Sequence, residues 1–249
     1  MRYFIELSYN GTNFHGWQIQ PNAVTVQSVL NSCLSILLKE EISCVGAGRT
    51  DTGVHAKQMI AHFDYDKVFN IQELVLKLNA FLPNDIAIHS IRKVNSDAHA
   101  RFDAKKRTYI YKITSSKNVF EFDRSYFYKN YLDLELMNAA CLIMMNYSDF
   151  ESFSKTNSDV KTFICSITEA VWIKSKNCIQ FKISADRFLR NMVRAIVGTM
   201  IHIGTKKTSL KEFEKIIQSK DRSLAGPSAP PRGLYLTQIQ YNNSIFEDV

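Results

Sequence analysis

Arg49 and Asp51 stand two residues apart in Gly46-Ala47-Gly48-Arg49-Thr50-Asp51-Thr52-Gly53-Val54-His55-Ala56, a stretch that holds three of the chain's nine glycines. An acidic and a basic side chain so close together are candidates for chemistry. A carboxylate can attach covalently to a substrate or hold a developing cation. Glycines gather where the backbone needs positive φ or comes close to something. The alternating run Gln58–Phe63 just after the loop predicts a strand. The pair is therefore presented on a tight loop beside a sheet edge, where catalytic groups are commonly held. Hydroxyl and Asx side chains in such loops also serve simply to bond their own backbone, and these residue types alone leave both readings open.

Two further groups could act with it. Lys105-Lys106-Arg107 precede Tyr109 and Tyr111, and alternation places Arg107, Tyr109 and Tyr111 on one face of a strand. The run Phe188–His202 is apolar around much of a helix, yet Arg187, Arg190 and Arg194 fall three and four apart on one stripe of it. An arginine on so apolar a helix needs an anionic partner. With Lys206-Lys207 and a formal net charge of +7, these groups suit a polyanion. Positive charge beside aromatic rings is the surface that tracks an RNA backbone and stacks its bases.

Around these groups the chain reads as a mixture of strands and helices. Arg2–Tyr9 alternates as a strand. Thr25 is the expected N-cap of a helix whose apolar stripe runs Val26, Val29, Leu30, Cys33, Leu34, Leu37, Leu38. A strand around Ile42–Val45 leads into the Arg49–Asp51 loop. Asn70 and Glu73 form a capping-box-like start for a helix with Ile71, Leu74, Val75 and Leu78 inward, and Asp85–Val94 alternates as a strand. A composition shift near Lys105 divides the chain into 1–105, carrying the acidic loop, and 106–249. In the second half Met137, Ala140, Cys141, Met144 and Met145 line a helix, Thr162–Trp172 and Cys178–Ala185 are strands, and Ser209 with Glu212 caps a last helix. A proline-rich loop at 225–233 enters a closing strand, and Ser244–Val249 is expected to be loose.

At 249 residues, 45% hydrophobic and 22% charged, the chain can bury a substantial core as one large domain or two small ones. No apolar run approaches bilayer length and the N-terminus enters a strand directly, so no membrane association and a cytoplasmic location are expected. Five scattered cysteines without CxxC spacing read as buried free thiols. The six histidines show no clustered ligand spacing, and no metal is assigned.

Several segments resemble, in order, the motifs of the tRNA pseudouridine synthase A family. GAGRTDTGVHA at 46–56 is similar to its GRTDxGVHA motif, whose aspartate, here Asp51, is the nucleophile. Tyr9–Pro21 is similar to YDGTxFxGWQxQP, with Asn10 in place of aspartate. Leu78–Ile86 matches LNxxLPxDI, and His99–Ala104 matches HARFDA, preceded by Ala98 where phenylalanine is usual. Asp149–Phe153 resembles HDFxSF, but Ser148 replaces the histidine and Asn146 the preceding glycine. FLRNMVRAIVG at 188–198 and Ala229–Leu236, similar to APPxGLxL, complete the series.

The resemblance implies an α+β pseudouridine-synthase fold: two similar halves with mixed, mostly antiparallel sheets flanking a basic cleft. It implies conversion of uridine to pseudouridine in the anticodon stem-loop of tRNA, at positions 38 to 40, by a homodimer without cofactor whose second half completes the active site and carries the dimer interface. It gives Arg194 as the partner of Asp51, Tyr109 as the ring that stacks on the target base, Arg49 as the residue filling the space of the turned-out nucleotide, and Leu234 as a lining residue of the uracil pocket. Lys105, Lys106, Arg107 and Arg190 are the candidates for holding the RNA. Two other classes stay open on the sequence: a catalytically silent RNA-binding protein on the same scaffold, and a metal-dependent hydrolase using the carboxylates.

Overall fold

A computed structural model describes residues 1–156, 160–175 and 178–247. In chain order its elements are β1 (Arg2–Tyr9), α1 (Val26–Leu38), β2 (Val45–Gly46), β3 (His55–Asp64), α2 (Ile71–Phe81), β4 (Ile86–Val94), β5 (Lys106–Thr114), β6 (Tyr126–Phe127), α3 (Leu134–Met144), β7 (Ile167–Ser175), β8 (Cys178–Ala185), α4 (Met192–Gly204), α5 (Leu210–Ser219) and β9 (Leu234–Gln240). The class is α+β. The contacts divide the chain into two units, Met1–Lys106 with Leu236–Val249, and Arg107–Tyr235.

In the first unit β1 runs antiparallel between β3 and β4, with Tyr3 opposite Phe63 and Phe4 opposite His62. Tyr3 and Phe63 stack with ring centres 5.5 Å apart. α1 starts where expected: Thr25 Oγ1 accepts from the Ser28 N–H while Ser28 returns a bond to the Thr25 backbone. The strand expected around Ile42–Val45 shrinks to Val45–Gly46. The reason lies in α1, whose polar side chains take the backbone bonds that a strand partner would have made. Ser35 Oγ accepts from Ile42 N, Asn31 Oδ1 from Cys44 N, and Gln27 Nε2 donates to Cys44 O.

The sequence division left everything after 105 in the second half, yet Leu236–Val249 folds with the first unit. β9 lies beside β3, where Ile239 N donates to Gln58 Oε1. The tail is not loose over its described residues. Asn95 N donates to Ile245 O and Glu247 N to Lys93 O, and Phe246 packs edge-on to Phe4 with the Arg92 guanidinium over its ring. Residues 248 and 249 lie outside the described residues.

In the second unit β8 runs antiparallel between β5 and β7, with the short β6 parallel to β5. The expected strand Thr162–Trp172 starts later, at Ile167, because Cys165 N is bonded to Ser148 O and Ser166 N to Asp186 Oδ1. α3 packs on β7 and on α4, and α4 is buried along most of its length. The HDFxSF-like segment is core: Phe150 and Phe153 are fully buried and Ser152 Oγ donates to Ile216 O. Cys33, Cys44, Cys141 and Cys165 are buried and Cys178 is half-buried, all as free thiols. Burial alone pushes the Cys44 thiol up to about 12.

Candidate active site

The Arg49–Asp51 loop is clamped at both ends. Ala47 N donates to Ile60 O at 2.8 Å. Thr50, buried, shares a 2.8 Å hydroxyl bond with Tyr9 and accepts from Trp17 N through its carbonyl. Val54 N then closes a turn on Asp51 O at 3.1 Å, and Gly53 takes the left-handed φ of +76° that this turn needs. Trp17 is 1% exposed and lies so close to Gly46 that an added Cβ would meet its ring at 2.4 Å. The GWQ segment and the acidic loop therefore hold one another in place. Arg49 is exposed on this loop and Asp51 half-buried.

The substitution at Asn10 has a structural account. Its Oδ1 accepts from the N–H and the hydroxyl of Thr12 at 3.1 and 2.7 Å, capping the turn Gly11–Asn13. An amide oxygen does this as well as a carboxylate. Lys105 is exposed with its N–H on Gln240 O, and Lys106 is half-buried.

Arg107, Tyr109, Arg190, Arg194 and Leu234 belong to the second unit. The expected arginine stripe does not form. α4 starts at Met192 after Asn191, whose φ of +66° breaks the helical path, so only Arg194 of the three lies on the helix. Arg187 reaches Thr162 O at 3.2 Å, and Arg190 is exposed in the turn before the helix. Arg194, half-buried, fixes the proline-rich loop from two sides: its Nε donates to Ala229 O at 2.8 Å, and Ala229 N donates back to Arg194 O at 2.9 Å. Leu234, 6% exposed, heads β9 as that loop ends.

The face shared by Arg107, Tyr109 and Tyr111 is not an open aromatic platform. Tyr111 is wholly buried, its hydroxyl donates to Pro230 O at 2.8 Å, and burial pushes its phenol strongly up. Tyr109 is 9% exposed and meets the edge of Phe188 at 5.1 Å between ring centres. Arg107 Nη1 donates to Asp186 O at 2.7 Å. Sequence reasoning missed Tyr111 as a structural anchor of the loop before Leu234. The nearest signal was Gly233, where an added Cβ would meet the Tyr111 ring at 2.7 Å.

The buried histidines serve the backbone. His55 Nδ1 accepts from Gly11 N and His62 Nδ1 from Ala100 N, both at 3.1 Å. Burial first, then the nearby Arg2 and His99, lowers His62 to about 4, which keeps it the neutral acceptor that this bond requires. Among the described residues no three His, Cys, Asp or Glu side chains gather as a metal site, and no helix is long and apolar enough to cross a membrane.

An α+β scaffold that carries a clamped GRTD loop in one unit and a half-buried helical arginine in the other defines a class that sequence comparison identifies. The model of the tRNA pseudouridine synthase family matches residues 7–103 and 147–242. The chain belongs to this family. It is 50% identical over 250 residues to the tRNA pseudouridine synthase A of Bacteroides fragilis, covering 99% of this chain and 98% of that protein. It is 50% identical over 247 residues to the protein of the same name from Azobacteroides pseudotrichonymphae, covering 99% of each. The namesake of Clostridium acetobutylicum is 38% identical over 239 residues, covering 95% and 98%.

Proposed function

We propose that the protein isomerises uridine to pseudouridine in the anticodon stem-loop of tRNA, at positions 38 to 40, using Asp51. The observation that carries this reading is the Asp51 loop, whose backbone is bonded on both sides of the carboxylate while Arg49 stands exposed beside it. A clamped loop of this kind presents a carboxylate without rearrangement. Near-full-length identity to proteins named tRNA pseudouridine synthase A supports the substrate class.

The reaction breaks the bond between ribose C1′ and uracil N1, and forms one between C1′ and C5. The C5 proton leaves to solvent and N1 takes one up, so atoms and charge balance. Asp51 attacks covalently or holds the sugar cation during the rearrangement; both uses need it ionised. In this reading Arg194 supplies the counter-charge, Tyr109 receives the base, Leu234 lines the uracil pocket, and Arg49 fills the gap left by the turned-out nucleotide. Lys105, Lys106, Arg107 and Arg190 hold the RNA. The assembly is a cytoplasmic homodimer that needs no cofactor.

The test is tritium release from tRNA labelled at uracil C5. The wild-type protein is expected to release tritium in step with turnover. Asp51→Asn, which keeps the side chain's shape, is expected to release none while still binding tRNA. Equal release by both would remove Asp51 from the chemistry. Binding without release by the wild type would make the protein a silent RNA binder.

A further inference from the structure

Eight of the nine glycines have a reason within the fold. At seven of them an added Cβ would come within 2.8 Å of the chain's own atoms, and the eighth, Gly53, has a φ of +76°. Gly48 has neither reason: a Cβ there meets nothing within 4 Å, and its φ is not positive. A glycine in a loop with open space around it costs more chain entropy on folding than alanine would. The fold alone therefore favours another residue at this position.

Gly48 and Arg49 form an arch between two anchored residues. Ala47 is buried and bonded to Ile60, and Thr50 is buried against Tyr9 and Trp17. Among the described residues neither Gly48 nor Arg49 makes a hydrogen bond or an ion pair. Two backbone N–H groups and a guanidinium are thus left to an outside partner, two residues from Asp51. Unbonded N–H groups in sequence, next to a cation, suit phosphate oxygens, and a missing Cβ lets a strand lie directly on the peptide.

We propose that Gly48 is a substrate-positioning residue: the ribose-phosphate backbone of the RNA, next to the reacting uridine, lies against the Gly48–Arg49 peptide. The inference rests on tRNA being the substrate. Tritium release by the wild-type protein tests that premise independently of the glycine variants.

The experiment compares Gly48→Ala and Gly48→Val with wild type, measuring thermal unfolding and the Kd for an unmodified tRNA transcript. Gly48→Ala is expected to unfold at the wild-type temperature or above it, yet to bind the transcript about tenfold more weakly. Gly48→Val should bind more weakly still, as added bulk lifts the strand further. Unchanged affinity in both variants would overturn the proposal. So would a fall of several degrees in the Tm of Gly48→Ala, because the glycine would then be serving the fold.

Discussion

Arg194 carries the counter-charge in the proposed reaction. It is half-buried on an apolar helix and bonded through Nε to Ala229 O. If it also balances Asp51, Arg194→Ala should lower turnover by at least about a hundredfold, the scale of losing one preorganised charge-stabilising donor. Tritium release measures the loss, and circular dichroism checks that the helix persists. Arg194→Lys should recover little, because a single ammonium cannot hold the bond that Nε makes to Ala229 O and still offer a second donor and charge to Asp51, as a planar guanidinium can. Turnover unchanged in both variants would separate Arg194 from the chemistry. Among single residues the sequence singled out Asp51, where an acidic residue, a basic residue and three glycines crowd eleven positions. It was silent on Tyr111, which alternation places on the same face as Tyr109. One tyrosine holds a carbonyl in the core and the other packs on Phe188, a difference made by residues more than seventy positions away.

The element that fixes Arg194 is the joint between α4 and the loop 225–230. A Cβ at Gly198 would stand 1.6 Å from Pro227 O, and one at Gly226 would stand 2.8 Å from Thr199 N. Gly226 N also donates to Thr199 Oγ1 at 2.9 Å. Alanine in mid-helix gains about 1 kcal/mol in propensity over glycine. Overpacking here sets a side chain against backbone that cannot swing aside, at a cost of up to about 3 kcal/mol. Gly198→Ala should therefore destabilise by roughly 2 kcal/mol, read from urea unfolding, and should reduce turnover as the loop carrying Ala229 is pushed off. A neutral or stabilised variant would mean that the joint yields. Helix starts with a side-chain cap were legible in sequence, as Thr25, Asn70 and Ser209 show. The start of α4 was not: Asn191 makes no side-chain cap and donates instead to Ser228 Oγ at 2.6 Å, a contact across 37 residues.

Over the molecule as a whole the net charge of +7 must act through particular places. Lys105 is exposed and Lys106 half-buried, side by side at the entry to β5. Replacing both with alanine should weaken tRNA binding and make it less dependent on salt. The slope of log K against log salt should fall by up to about 1.5, since each phosphate contact contributes roughly 0.7 to 0.9. A series of binding measurements across salt concentrations checks this, and an unaltered slope would show that these lysines face away from RNA.

Local sequence was enough for the family, the acidic loop, the capped helices and most strands, because each depends on residues close together or on a short repeating period. Long-range packing set the rest. It broke the arginine stripe at Asn191, returned Leu236–Val249 to the first unit, and pinned the tail to β4. It also separated the glycines that the fold requires from Gly48, which it does not. Each of these depends on which distant backbone lies within a few ångströms, a quantity that no local pattern of residues encodes.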